Sequence, residues 1–215
     1  AETNGLSLVI LDYRGFETDR QGRLQRDPGR DREIVADALR AAGIVTEPNV
    51  APFDTNAYLQ EVARGCFICR LLEGDPTLPH HHVIWRGSDA IAFLDRFPSV
   101  YGYTLVAPVH HREQATGDFT LHQYLGLQRV VHAVAEAVRL VLRPERVYVL
   151  SLGSQQANAH VHWHIVPCPP GTPFEEQQLA LLDRERQGVL QLSHEEGETL
   201  AAQLLDRFPG WMQGR

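Results

Sequence analysis

The stretch His160-Val161-His162-Trp163-His164 places three histidines in strict alternation with two large apolar residues. Successive side chains of a β-strand point to opposite faces, so the three imidazoles are expected on one face. Val161 and Trp163 are then expected to enter the core. The pattern therefore predicts a strand that presents three imidazoles to one small charged group.

Two kinds of chemistry explain three imidazoles at this spacing. Three neutral imidazoles can bind a catalytic zinc ion and leave one position open for water. Alternatively, one imidazole attacks a phosphorus atom and carries it covalently, while its neighbours position and polarise the phosphate oxygens. A half-buried strand that happens to be rich in histidine is the third, non-functional interpretation.

The segment directly before the triad, residues 151–158, is small and polar. Small residues allow backbone N–H groups to approach a phosphate closely, and amide side chains add further donors. The candidate substrate-binding residues in this segment are Ser154, Gln155, Gln156 and Asn158. This composition favours the interpretation in which the triad acts on a phosphate group.

A second block of sequence, residues 90–98 followed by residues 102–108, lies upstream of the triad. Together the two blocks resemble the histidine triad (HIT) family, whose motif is His-x-His-x-His followed by two apolar residues. The resemblance extends to the branch of hydrolases that contains a zinc knuckle. The second block also supplies Asp95 and Tyr103 as candidate substrate-binding residues.

The resemblance implies nucleotidyl transfer to water. HIT hydrolases release a nucleoside monophosphate from a phosphoramidate or a dinucleoside polyphosphate. His162 matches the family's nucleophile, which forms a nucleotidyl-histidine intermediate. His164 matches the position that hydrogen-bonds the phosphate, and a histidine there is typical of the hydrolase branches. His160 matches a structural position that orients its neighbour or binds metal.

One position departs from the family pattern. The usual Gly-His-x-Leu-Val-x-Pro has Tyr103 in place of its histidine, which normally supports the nucleophile from a neighbouring strand. A phenol can still donate one hydrogen bond. Two alternatives therefore stay open: a metal-dependent phosphohydrolase with zinc on all three triad histidines, and a non-catalytic nucleotide-binding protein.

Cys66-Phe67-Ile68-Cys69 is the second chemical signal. A Cys-x-x-Cys motif alone indicates a redox pair, two buried thiols or half of a zinc site. By resemblance to the zinc-knuckle branch, His111 and His160 match the remaining ligands. The implied cofactor is a structural Zn²⁺ ion held by Cys66, Cys69, His111 and His160, a closed tetrahedral set.

The other histidines carry weaker signals. The run His80-His81-His82 precedes an apolar segment and resembles a solvated loop that enters a strand, with an alternative zinc ligand as the less favoured interpretation. His122, His132 and His194 lie in helical patterns and are expected on exposed or boundary faces.

Composition limits the partners. The net charge of −7 argues against a general affinity for nucleic-acid polymers, whereas a small nucleotide substrate remains compatible. Three cysteines with a Cys-x-x-Cys pair indicate a reducing cytoplasm rather than a disulfide framework. No apolar run approaches the roughly 20 residues that span a bilayer, and the first residues lack the profile of a signal peptide. A homodimer is expected by resemblance.

The predicted fold class is α+β, with an antiparallel sheet of about five strands and one long helix packed on it. Three parts are predicted: an N-terminal extension (1–60), a HIT-like catalytic core (61–170) and a helical C-terminal tail (171–215). The extension is expected to contain a strand over 6–11 and a helix over 34–42. Strands are predicted at 83–85, 90–94, 103–107, 146–152 and 159–167. Helices are predicted from the capping box at 120–123 to just before Pro144, and over 174–186 and 193–208.

Overall fold

Short runs of β-branched and aromatic residues between turn-forming residues produce the strands of this protein. The computed structural model describes residues 17–18, 24–25, 49–153 and 158–213. The strands in chain order are β1 (Glu17–Thr18), β2 (Leu24–Gln25), β3 (Val50–Ala51), β4 (Val83–Arg86), β5 (Ala90–Leu94), β6 (Thr104–Pro108), β7 (Arg146–Leu150), β8 (Trp163–Cys168) and β9 (Val189–Leu190). Five of them form one antiparallel sheet in the order β4-β5-β6-β8-β7.

Five α-helices accompany the strands in the described part of the chain. They are α1 (Thr55–Val62), α2 (Phe67–Glu73), α3 (Leu121–Leu142), α4 (Arg184–Gln187) and α5 (His194–Asp206). The long helix α3 begins at a capping box in which Thr120 and Gln123 bond reciprocally, and α5 begins at the same device built from Ser193 and Glu196. The predicted α+β class with one long helix on a five-stranded sheet is confirmed.

Both faces of the sheet are covered, which explains why all five residues of β5 are buried. Ala90, Ala92 and Leu94 pack in the core that α3 and α5 share, whereas Ile91 and Phe93 pack on the opposite face with α2. The alternation continues in the triad region, because Val161 and Trp163 lie in the α3 core as predicted. The histidines between them consequently belong to the other face.

The C-terminal tail differs from the predicted pair of helices. The expected helix over 174–186 is wrong: this region contains 3-10 turns at Phe174–Glu176 and Gln178–Leu182, then the short α4. Gln178 has a φ of 58°, a left-handed conformation that a right-handed helix cannot continue. Asp183 then caps a new helix by accepting a hydrogen bond from the backbone N–H of Arg186. The second predicted helix is present as α5, and a last 3-10 turn follows at Gly210–Met212.

The chain divides into two compact units, residues 1–49 and 50–215. In the first unit, β1 pairs with β2 in an antiparallel ladder. The predicted strand over 6–11 and helix over 34–42 lie outside the described residues. In the second unit, β3 pairs with β9, which joins the segment before α1 to the C-terminal tail. None of the described helices is long and apolar enough to cross a membrane.

Candidate active site and metal centre

A pocket of about 360 Å³ lies on the α2 side of the sheet and holds two histidines of the triad, His162 and His164. Parts of the chain that are distant in sequence build its walls. Helix α1 contributes Tyr58, the end of β5 leads to Asp95, and α4 contributes Arg184. The site therefore depends on residues that precede the triad in the sequence and on residues that follow it.

The triad is less regular than a continuous strand. The predicted strand over 159–167 is shorter in the structure, because β8 begins only at Trp163. The backbone N–H of Val161 donates to the carbonyl of Arg112 at 2.6 Å, outside the β6–β8 ladder. The ring of His160 lies beside two cysteines, whereas His162 and His164 face the pocket with ring centroids 4.7 Å apart.

His162 is held as a neutral imidazole with a defined tautomer. Its Nδ1 lies 2.8 Å from the backbone carbonyl of His160, and a carbonyl only accepts, so Nδ1 carries the proton. Burial lowers the pKa of His162, which is only 4% exposed. The unprotonated Nε2 is consequently the nucleophilic atom of this ring.

His164 is fixed from both sides. Its Nε2 lies 3.4 Å from the carbonyl of Leu152, and its Nδ1 lies 2.9 Å from the hydroxyl of Tyr103. Burial, and then the neighbouring His162, lower the pKa of His164 to about 4. Burial raises the pKa of Tyr103 far above its usual range, so its hydroxyl stays protonated and donates to Nδ1. Tyr103 therefore bonds to His164 rather than to His162, and its side chain is buried.

Asp95 and Arg184 form a buried ion pair at the pocket wall. The guanidinium Nη2 of Arg184 lies 2.5 Å from Oδ2 of Asp95, and Oδ1 of Asp95 accepts from the backbone N–H of Phe97 at 2.7 Å. Among the described side chains, Nε of Arg184 is one of two buried nitrogens without a hydrogen-bond partner. Arg184 thus brings a positive charge to the pocket wall. The sequence offered no signal for it, because Asp95 is 89 residues away.

The segment before the triad reaches the pocket only in part within the described residues. Leu152, Gly153 and Asn158 line the pocket, and the side chain of Asn158 donates to the hydroxyl of Tyr58. Asn158 has a φ of 53°, a left-handed turn conformation that asparagine tolerates. The predicted substrate-binding residues Ser154, Gln155 and Gln156 lie outside the described residues.

Four predicted metal ligands do converge. The ligand atoms of Cys66, Cys69, His111 and His160 all lie within 4.8 Å of one another. The Nδ1 atom of His160 lies 3.4 Å from Sγ of Cys66 and 3.6 Å from Sγ of Cys69. The Nδ1 atom of His111 lies 3.3 Å from Sγ of Cys69. In a tetrahedral zinc site with ordinary bond lengths, a sulfur and a nitrogen ligand are about 3.5 Å apart. The three sulfur–nitrogen distances therefore match those expected around a zinc ion.

The surroundings of this cluster also suit a metal. Nε2 of His160 donates to the carbonyl of Pro108 at 3.0 Å, which leaves the lone pair of Nδ1 directed at the sulfurs. Burial and the neighbouring Cys66 raise the pKa of the Cys69 thiol to about 12. Without a cation, the thiolate form of Cys69 is therefore disfavoured. A bound cation would reverse this effect by stabilising both thiolates.

Comparison with known proteins matches the family that the motifs indicate. Residues 78–170 match the model of the HIT domain. An uncharacterized HIT-like protein of Saccharolobus solfataricus is 30% identical over 105 residues, which cover 47% of this chain and 73% of that protein. An uncharacterized HIT-like protein of Mycoplasma genitalium is 34% identical over 108 residues, which cover 47% of this chain and 72% of that protein.

The fold is also similar to that of a solved histidine triad protein. The solved structure of a hypothetical histidine triad nucleotide-binding protein from Sulfolobus tokodaii superimposes with a TM-score of 0.52 at 20% identity, covering 66% of this chain and 91% of that one. The family match and the shared fold confirm the predicted family, whereas the zinc-knuckle branch stays a prediction. This chain belongs to the histidine triad family.

Proposed function

We propose that the protein is a nucleotide hydrolase that releases a nucleoside monophosphate from a phosphoramidate or a dinucleoside polyphosphate through a covalent intermediate on His162. The observation that carries the proposal is the tautomer of His162. Its Nδ1–H is bonded to the His160 carbonyl, which leaves a neutral Nε2 in a pocket of about 360 Å³. Membership in the HIT family supports a nucleotide-binding or hydrolytic role.

The reaction has two steps at phosphorus. In the first step Nε2 of His162 attacks the α-phosphorus, and the bond from phosphorus to the leaving nitrogen or oxygen breaks. The leaving group takes the bonding electron pair and a proton from solvent, and the ring, which keeps its Nδ1–H, becomes a positively charged adduct. In the second step water attacks the same phosphorus and releases a proton to solvent, the phosphorus–Nε2 bond breaks with its electron pair going to Nε2, and the ring returns to its neutral state. Each step replaces one ligand of phosphorus by another.

Two side chains near His162 suit the charge that develops on the phosphate oxygens. Nε2–H of His164 makes only a long 3.4 Å bond to the Leu152 carbonyl, so a phosphate oxygen can compete for it. The guanidinium of Arg184 lines the same pocket and carries a positive charge. Donors that are already in place stabilise a charge that appears only in the transition state.

The Cys66, Cys69, His111 and His160 cluster supports a second part of the proposal, a structural Zn²⁺ ion. When bound, this ion supplies rigidity rather than chemistry, because four protein ligands leave it no open position. Its importance for the reaction is indirect: it fixes His160, whose carbonyl orients the nucleophile. The ring and the carbonyl of His160 therefore serve different parts of the site.

The alternative metallohydrolase has less support. Within residues 49–153 and 158–213, the three triad histidines are not among the groups whose ligand atoms converge for one ion. His160 faces the cysteines, and Nδ1 of His162 is engaged with a carbonyl. The homodimer and the cytoplasmic location expected from the sequence stay predictions.

The proposal is tested by measuring AMP release from adenosine phosphoramidate and from diadenosine tetraphosphate. His162→Ala is expected to lower kcat by about 10³-fold or more, because it removes the nucleophile. The matched control is His122→Ala, since His122 is exposed on α3. Activity of His162→Ala within tenfold of the native protein contradicts the proposal. Binding of AMP by the native protein without turnover of either substrate supports the non-catalytic alternative instead.

A further inference from the structure

A second cluster of metal-ligating side chains lies outside the active site and outside the cysteine cluster. It consists of His80 and His82, which precede β4, and of His194 and Glu198 on α5. His194 and Glu198 are four residues apart, so they share one face of the helix. The four ligand atoms all lie within 4.8 Å of one another. Two segments more than a hundred residues apart in sequence thus converge on one point.

The distances are those of a metal site. Oε1 of Glu198 is 2.9 Å from Nδ1 of His82 and 3.3 Å from Nε2 of His80. Ligand atoms around a tetrahedral zinc ion with ordinary Zn–N and Zn–O bonds are about 3.4 Å apart. The second of these distances is close to that value and the first is shorter, and all four ligand atoms lie within 4.8 Å of one another, so small side-chain rotations would bring them around one ion.

The crowding of the rings argues for a shared cation rather than for ordinary ion pairs. The ring of His80 lies 4.6 Å from that of His82 and 4.8 Å from that of His194, centroid to centroid. One carboxylate neutralises one imidazolium, so three protonated rings at this spacing repel one another. Three neutral rings and one carboxylate instead form an N3O set that suits zinc and neighbouring divalent transition metals.

Helix α5 is shaped to accept this arrangement. Gly197 is buried inside α5, and a β-carbon at this position would lie 2.3 Å from the His82 ring. Glycine inside a helix is unfavourable for the helix itself. Its presence here allows the His82 ring to lie directly against the helix backbone and to reach Glu198.

We propose that His80, His82, His194 and Glu198 form a second metal site, which binds a zinc-class divalent ion and fastens α5 to the segment before β4. The proposal does not depend on the hydrolase activity. It has a consequence for the active site, because His81 points the other way. The His81 ring lines the catalytic pocket and stacks on Phe67 at 5.7 Å. An ion on His80 and His82 would hold this pocket wall in place.

The site is expected to exchange its ion readily, because the side chains of His80 and Glu198 are more than half exposed. The experiment uses the full chain, dialysed against a weak chelator and titrated with Zn²⁺ by calorimetry, with bound zinc counted by elemental analysis. The native protein is expected to bind one equivalent more than His194→Ala and His80→Ala. Glu198→Gln, which keeps the shape of the side chain, is expected to weaken this equivalent by about tenfold or more.

His122→Ala is the matched control, since it removes an exposed histidine of α3 and is expected to keep all bound equivalents. A second readout does not depend on counting metal. Free Zn²⁺ at about a hundred times its Kd is expected to raise the Tm of the native protein by about 5–10 °C, and to raise that of His194→Ala much less. Equal zinc stoichiometry and affinity in the native protein, His194→Ala and Glu198→Gln would overturn the proposal. Circular dichroism at each step verifies that the variants are folded.

Discussion

Replacing Arg184 by methionine isolates the role of the buried ion pair at the pocket wall. The Asp95 side chain is only 4% exposed and that of Arg184 only 19%, so this pair is shielded from water. Arg184→Met removes the positive charge, keeps most of the side-chain volume and leaves the Asp95 carboxylate buried without its partner. An unpaired buried charge is strongly destabilising, whereas an exposed pair contributes little.

The expected loss is about 3 kcal/mol of unfolding free energy. Removing one partner of a buried ion pair costs about 3–5 kcal/mol. The lower end applies, because Asp95 keeps its hydrogen bond from the Phe97 backbone and Arg184 leaves Nε unbonded in the native protein. For a chain of this length, about 3 kcal/mol corresponds to a Tm lower by about 6–12 °C.

Urea unfolding and thermal unfolding of four proteins measure this loss: native, Arg184→Met, Asp95→Asn and the double variant. The double variant is expected to be more stable than the sum of the single losses implies, because it leaves no unpaired charge. Arg139→Met is the matched control, since Arg139 pairs with Glu136 at the surface, where the two side chains are 54% and 43% exposed. This variant is expected to lose less than about 0.5 kcal/mol of unfolding free energy. Equal losses for Arg184→Met and Arg139→Met would refute the reasoning.

Three further predictions follow from the same contacts. Burial holds the pKa of His164 near 4 in the folded state, whereas the unfolded chain protonates this ring near 6.5, so the free energy of unfolding is expected to fall as pH drops from 6.5 to 4. Urea titrations of His164→Gln over the same pH range should show a smaller fall. Tyr103→Phe removes the 2.9 Å hydrogen bond to His164 and is expected to cost about 1–3 kcal/mol, and an unchanged urea midpoint would contradict that bond. Removing zinc from the native protein with a strong chelator is expected to lower its Tm by more than about 10 °C, and Cys66→Ser is expected to lower the Tm by a similar amount. A Tm that stays unchanged after chelation, with no metal released, would identify Cys66 and Cys69 as unmetallated thiols.

Local patterns predicted the parts of the fold that depend on neighbouring residues. The capping signals of Thr120 and Ser193 marked the beginnings of α3 and α5, because a cap acts within one turn. The alternation of Val161 and Trp163 with the triad histidines predicted which side chains enter the α3 core. The resemblance to HIT proteins predicted that Cys66, Cys69, His111 and His160 converge, and their ligand atoms do lie together.

The remaining features depend on contacts that no local pattern contains. The pairing of Arg184 with Asp95 spans 89 residues, and the segment 174–186, which carries Arg184, was wrongly predicted as one helix. Tyr103 was predicted as a substrate-binding residue, but its hydroxyl is buried against His164, and Tyr103 is not among the residues that line the pocket. His194 was expected on an exposed or boundary face, and its exposure agrees. Its proximity to His80 arises only from the docking of α5 beside β4.

The most direct test of the account is to trap the reaction early and to locate the nucleotide on the protein. The native protein is mixed with diadenosine tetraphosphate, quenched within one turnover at alkaline pH and digested, and the peptides are analysed by mass spectrometry. An adenylyl group is expected on the peptide that contains His162, bonded to the ring and absent from His162→Ala. Turnover by the native protein with no adduct, or an adduct on another residue, would contradict the proposal that His162 is the nucleophile.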